Sequence, residues 1–178
     1  MKKETKEQVV KTIQEFQIPA YNEIPDVGLY LDQTVKYINA FFKPLPNMEL
    51  TSSMVSNYVK KGLIERPIKK TYCRNQICYL IFIVIAKTVL SMENIQLLFD
   101  VQKRVYDEQT AYEYLRLELD NLISYVFGLK ETIDEIGYTD TDEKMMLRTT
   151  IMTFAHRIYL ELCFEGVREE LLDQNENE

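Results

Sequence analysis

A chain of 178 residues, 46% of them hydrophobic, can bury one full core or a small domain with an appendage. Its three cysteines (Cys73, Cys78, Cys163) are odd in number and lack CxxC spacing, and its single His156 lies far from two of them in sequence, which excludes a zinc cluster and a disulfide framework. The formal net charge is −7, so any surface that binds a polyanion has to be a local concentration of cations.

Only five Gly and five Pro interrupt the chain, which predicts long helices with few connections. Met1 to Lys11 is charged and lacks the apolar stretch of a secretion signal. Thr5 to Phe16 reads as a first helix, with Val9, Val10, Ile13 and Phe16 three or four residues apart. Ile18-Pro19 breaks it. After a linker to Pro25, Asp26 is expected to cap a second helix through Phe42, whose apolar face holds Leu29, Ile38, Phe41 and Phe42. Pro44 and Pro46 end that helix, since proline removes a backbone donor and fixes φ.

Thr51 caps the next helix, and Gly62 stops it. At ~100° per residue, Ser53, Ser56, Asn57 and Lys60 fall within one arc of roughly 100°, opposite Val55, Tyr58 and Val59. From Lys60 to Arg74 the chain carries six cations (Lys60, Lys61, Arg66, Lys69, Lys70, Arg74) against one acid, Glu65, a local +5 in an acidic chain. Asn can bond adenine in a bidentate way, and Ser and Lys reach phosphates or base edges. Ser52, Ser53, Ser56, Asn57 and Lys60 are therefore the candidates for reading or bracing a major groove. Lys61, Arg66, Lys69, Lys70 and Arg74 are the candidates for holding phosphates.

Ile77 to Ala86 (ICYLIFIVIA) is the most apolar run, half the ~20 residues of a membrane span, and Tyr72 to Leu90 is expected to be a buried helix. A soluble, cytoplasmic protein without a membrane partner is expected. Cys78 and Cys163 read as buried small hydrophobes. Ser91 caps a short helix to about Gln102. A long helix from about Glu108 to Leu129 follows, with Tyr112, Leu115, Leu119, Leu122, Val126 and Leu129 at alternating spacings of three and four. That seam suits either a dimer or a neighbouring helix of the same chain. Gly137 to Asp142 reads as a turn, Asp140 or Thr141 as the start of a last helix to about Leu172, and DQNENE as a frayed tail. The last helix carries a second stripe, Leu147, Ile151, Phe154 and Ile158. His156, close to Phe154 and Ile158, is expected in the core or an interface rather than as a catalytic base.

The block LTSSMVSNYVKKGLI, followed by a short basic segment, Tyr72 and an aliphatic helix, resembles MerR-like winged-helix DNA-binding domains. Lys60-Lys61-Gly62-Leu63-Ile64 matches the basic-basic-Gly-Leu-Ile run that ends their recognition helix. Arg66 to Thr71 sits at the wing, and Ser91 to Leu98 at the last helix. Ser56, Asn57 and Tyr58 stand where many members carry an Arg-aromatic-aromatic run. IPAYNEIPDVGLYLDQ (Ile18 to Gln33), MVSNYVKKGLI and KKTY resemble a bacterial family of unknown activity, domain of unknown function 1836.

The resulting expectation is a mainly α fold. A MerR-like winged helix-turn-helix with a short β wing spans 1–104, and an acidic helical hairpin for dimerisation or effector binding spans 105–178. The expected function is that of a DNA-binding transcriptional regulator, with recognition helix 51–61 and basic wing 64–72. Its partners would be double-stranded DNA, a second copy of the chain, and an effector or protein of unknown identity. The alternative is a helical protein-interaction module without DNA binding. No nucleophile–base pair, phosphate loop or metal-ligand spacing points to an enzyme or a cofactor.

Overall fold

The computed structural model describes residues 1–137 and 141–176, with the side chains of 173, 175 and 176 left aside. Among the described residues the fold is mainly helical, with one small sheet. Its elements in order are α1 (Lys3–Gln14), a 3₁₀ turn (Tyr21–Glu23), β1 (Leu29–Tyr30), α2 (Leu31–Phe42), α3 (Ser52–Lys60), β2 (Thr71–Tyr72), α4 (Arg74–Ala86), α5 (Met92–Val105), α6 (Glu108–Val126) and α7 (Asp142–Glu176). The expected turn at 138–140, with Asp140 as a helix start, and the end of the polar tail lie outside the described residues.

The aliphatic run is helical, but α4 ends at Ala86, four residues before the expected Leu90, and the chain turns through residues 87–90. Ile77, Cys78 and Leu80 to Ala86 are buried, and α4 packs against α2, α6 and α7. Burial pushes the Cys78 thiol up to about 12, so this cysteine is a neutral core group. Cys163 is only half-buried. α6 and α7 pack along each other, and α1 lies against α7, where Lys2 N donates to Glu170 Oε1 (2.6 Å). Residues from both expected units thus share one apolar core.

Several boundaries move. α2 begins at Leu31 rather than Asp26, because Leu29–Tyr30 is extended and pairs antiparallel with Thr71–Tyr72. Gln33 Oε1 accepts the Tyr30 N–H at the new start (2.9 Å). For the same reason α4 starts at Arg74, two residues later than expected. α6 ends at Val126, three residues early. Both apolar seams are used within the chain: Tyr112, Leu115, Leu119 and Leu122 are buried, as are Ile151, Phe154 and Ile158. His156 points the other way and is exposed, which removes the core position from the two expected for it and leaves the interface position. No helix among the described residues is long and apolar enough to cross a membrane.

Candidate nucleic-acid interface

α3 is set against α2 by a side-chain clamp. Asn39 on α2 donates through Nδ2 to Leu50 O and accepts the Leu50 N–H at Oδ1, both at 2.9 Å. This reciprocal pair fixes the residue just before the Thr51 cap, whose Oγ1 accepts the Met54 N–H (3.2 Å). Lys87, at the end of α4, donates to Glu49 O (3.0 Å), and burial lowers its pKa. Val55 and Tyr58 are buried beneath α3, while Ser53, Ser56, Asn57 and Lys60 are exposed, as the helical spacing predicts. Ser56 Oγ donates back to Ser52 O (2.9 Å), and Ser53 Oγ lies 2.9 Å from Thr51 Oγ1. Ser52 is half-buried and donates to Asp32 Oδ1 (3.2 Å), so its hydroxyl is spent on a carboxylate.

Gly62 follows in the left-handed region (φ 77°), the conformation that terminates a helix with least steric cost. The chain then runs to a two-residue hairpin tip. Ile68 N donates to Thr71 O (3.0 Å) and Thr71 N to Ile68 O (2.9 Å), enclosing Lys69 and Lys70. Both lysines have positive φ, 50° and 69°. Such two-residue tips usually carry Asn-Gly, because a side chain with a bulky Cβ environment resists the left-handed region. Here two exposed cations occupy it. Pro67 lies outside the paired residues.

The hairpin is held from below by α4 and from the side by β1. Gln76, buried in the first turn of α4, donates through Nε2 to Glu65 O (2.9 Å) and accepts the Cys73 N–H (2.9 Å). In the sheet, Leu29 pairs with Tyr72 and Tyr30 with Thr71. The contact needs Gly28: a methyl group there would fall 2.6 Å from Thr71 Cβ and closer still to Oγ1. Tyr30 (58% exposed) and Ile68 (69%) flank Thr71, with Val27 (69%) two residues before β1.

Among the described residues, none of Lys60, Lys61, Arg66, Lys69 and Lys70 forms an ion pair with an acid. Lys61 lies close enough to Glu93 to help depress its carboxyl, behind the larger effects of the Glu93 backbone N–H and the Ser91 hydroxyl. Arg74 departs from its expected role. Its Nε donates to Ile24 O (2.8 Å), its guanidinium lies 5.1 Å from the Tyr21 ring centroid, and it faces Asp26 at 3.9 Å. It anchors the 21–26 segment to α4 and offers little to a phosphate.

Asn39, Gln76, Lys87 and Gly28 position this surface, and none was singled out from the sequence. A buried polar group on α6 escaped as well. Glu118 is fully buried, accepts from Tyr114 Oη (2.9 Å) and Asn121 Nδ2 (3.0 Å), and lies 3.6 Å from Arg148 Nε. Asn121 in turn binds the backbone N–H (3.0 Å) and carbonyl (2.9 Å) of Asp134.

No match was found among curated proteins or among solved structures. A family model described as Domain of unknown function (DUF1836) matches residues 19–117, which is more than half of the chain. The matched span runs from the segment anchored by Arg74, through the α2–α3 pair and the hairpin, into the middle of α6, and the chain belongs to the DUF1836 family.

Proposed function

We propose that this protein is a dimeric, DNA-binding transcriptional regulator, with α2 and α3 as a MerR-like helix-turn-helix and residues 64–72 as its wing. One observation carries the reading. A clean polar helix face (Ser53, Ser56, Asn57, Lys60) is followed within ten residues by exposed cations that pair with no acid among the described residues. In this reading Asn57 and Lys60 meet base edges, and Arg66, Lys69 and Lys70 meet phosphates, with Lys61 in a lesser role beside Glu93. Selection of duplexes from a random pool with the purified protein tests it directly. Recovery of a shared site, bound less tightly as salt rises, is expected; a pool that stays random, with no duplex binding at low salt, would defeat the proposal.

The dimer would use the outer face of α7, because the two seams inside the chain are already occupied. At ~100° per residue, one 100° arc between Met145 and Leu171 holds Met145, Met146, Thr149, Thr153, His156, Leu160, Cys163, Phe164, Val167 and Leu171. It contains no Asp, Glu, Lys or Arg, and Leu160 (51%) and Phe164 (56%) are exposed on it. A two-fold pairing of this face with its copy is self-complementary in the way a symmetric interface requires. The second reading, a protein-interaction module, draws on the exposed Val27, Tyr30 and Ile68 around the hairpin, an apolar cluster that phosphate binding does not use.

A further inference from the structure

Folded interiors are packed as densely as organic crystals, and voids larger than a water molecule are few. Where α4, α5, α6 and α7 meet, a pocket of about 290 Å³, partly open to solvent, interrupts the packing between the helices. This volume lies just under the usual range of small-molecule sites, ~300–1,000 Å³.

The walls are aromatic and aliphatic. Phe99 on α5 forms an aromatic cluster with Tyr79 and Phe82 of α4, with ring centroids 4.7 Å and 5.4 Å away. Leu115 of α6 and Leu147 of α7 lie on other sides of the space. Three of the polar side chains that reach it, Tyr79, Gln102 and Tyr114, each make a hydrogen bond into the protein. Tyr79 Oη donates to Gln102 Oε1 (3.2 Å), Gln102 Nε2 donates to Tyr106 O (2.7 Å), and Tyr114 Oη donates to Glu118 Oε1 (2.9 Å). Each of these groups commits a bond to the protein, so the aromatic and aliphatic wall is the main surface the inner part of the pocket offers. Burial also holds the Tyr79 and Tyr114 hydroxyls well above their ordinary pKa, so they stay neutral.

We propose that this cavity is a binding site for an uncharged, mainly apolar small molecule, with a ring that stacks on the Tyr79–Phe82–Phe99 wall. Charge is excluded from the occupant's buried part, because an ion there would lose its hydration against the Phe82, Phe99 and Leu115 side chains. Glu108, Glu143 and Lys144 also border the space, so polar substituents are acceptable only at that edge. The site stands independently of nucleic-acid binding, since none of its lining residues belongs to α3 or the hairpin.

N-phenyl-1-naphthylamine, a neutral aromatic that is dim in water and bright in apolar surroundings, tests the site on the full chain. Saturable brightening with one probe per chain is expected. Filling the cavity from α6 with Ala111→Phe should weaken binding at least tenfold, whereas Leu160→Ser on the outer face of α7 should leave it unchanged. If Ala111→Phe does not fold, Leu147→Phe fills the same space from the opposite helix. Methyl NMR of the unaltered protein gives a reading that needs no variant. Probe-dependent shifts at Leu98, Leu115 and Leu147, with Leu160 and Leu171 unmoved, support the site. No saturable brightening, or binding that survives the filled cavity and is lost in Leu160→Ser, would overturn it; the second outcome would place the probe on the outer face of α7.

Discussion

Replacing Lys69 with Asn and Lys70 with Gly should make the protein more stable and, in the proposed reading, a poorer ligand of duplex DNA. Both lysines sit in the left-handed region, at φ 50° and 69°, which costs an L-residue roughly 1–2 kcal/mol. Asn relieves part of that cost and Gly all of it. Glycine's greater freedom in the unfolded chain takes back about 0.4–1 kcal/mol. A net gain of about 1 kcal/mol remains, or a rise in Tm of about 2–4 °C for a domain of this size. The same pair of changes removes two cations, each able to release counterions with a slope of ~0.9 in log affinity against log salt. Specific and random duplexes should therefore both bind more weakly, and the salt dependence should flatten by up to about 1.8. Lys69→Gln with Lys70→Gln separates the two effects, since it removes the same charge and keeps the strain. Its binding should match that of the Asn-Gly variant, with Tm unchanged. Melting curves and gel shifts at three salt concentrations suffice. An Asn-Gly variant that melts no higher refutes the strain argument. One that keeps its affinity and salt slope refutes the phosphate role.

Asn57→Ala with Lys60→Ala should leave Tm unchanged and reduce discrimination for the selected site by about 1–3 kcal/mol, measured by gel shift against a random duplex. Leu160→Glu with Phe164→Glu puts charge on the uncharged arc of α7 and should give a monomer by light scattering at concentrations where the unaltered protein is a dimer. A monomeric unaltered protein would remove the case for that interface. Glu118→Ala leaves Tyr114, Asn121 and Arg148 each short of a buried partner and should cost about 2–3 kcal/mol in chemical denaturation. Gly28→Ala, forced against Thr71, should loosen the hairpin and speed amide exchange at Ile68 and Thr71, with α6 and α7 unaffected.

The parts of this fold that were legible from sequence are those governed by short-range rules. Thr51 and Ser91 cap where their side chains can reach the next turn, Gly62 stops α3, and α4 announces itself by length and apolarity. β1 was hidden because a two-residue strand has no periodicity. It exists through a partner some forty residues away, and the apolar spacing around Leu29 read equally well as the start of α2. Arg74 looked like one more cation in a basic run. Its real neighbours, Ile24, Tyr21 and Asp26, lie far upstream, and nothing local marks them. α7 posed a different problem, being apolar on more than one side. Leu147, Ile151, Phe154 and Ile158 and the stripe through His156, Leu160 and Phe164 both have helical spacing, and packing of α7 against α1, α4, α5 and α6 decides which of them is the core.

The first turn of α4 makes the hairpin part of the core rather than an appendage. Gln76 grips Glu65 on the way into the hairpin, and Arg74 grips Ile24 ahead of the strand that pairs with it. Two turns further on, the same helix presents Phe82 to the aromatic cavity. A surface loop carrying two left-handed lysines would not hold that geometry alone, since the strain persists only where surrounding contacts over-determine the backbone. Here those contacts are β1, Gln76 and the Thr71 hydroxyl, which donates to Ile68 O at 2.8 Å. The electrostatics follow from the same arrangement. A protein of net charge −7 would, in the proposed reading, meet a duplex through the local run of cations at Lys60, Arg66, Lys69 and Lys70, none of which pairs with an acid among the described residues. In the proposed reading such a molecule is oriented before it touches DNA, so raising salt should slow its association more than it speeds its dissociation.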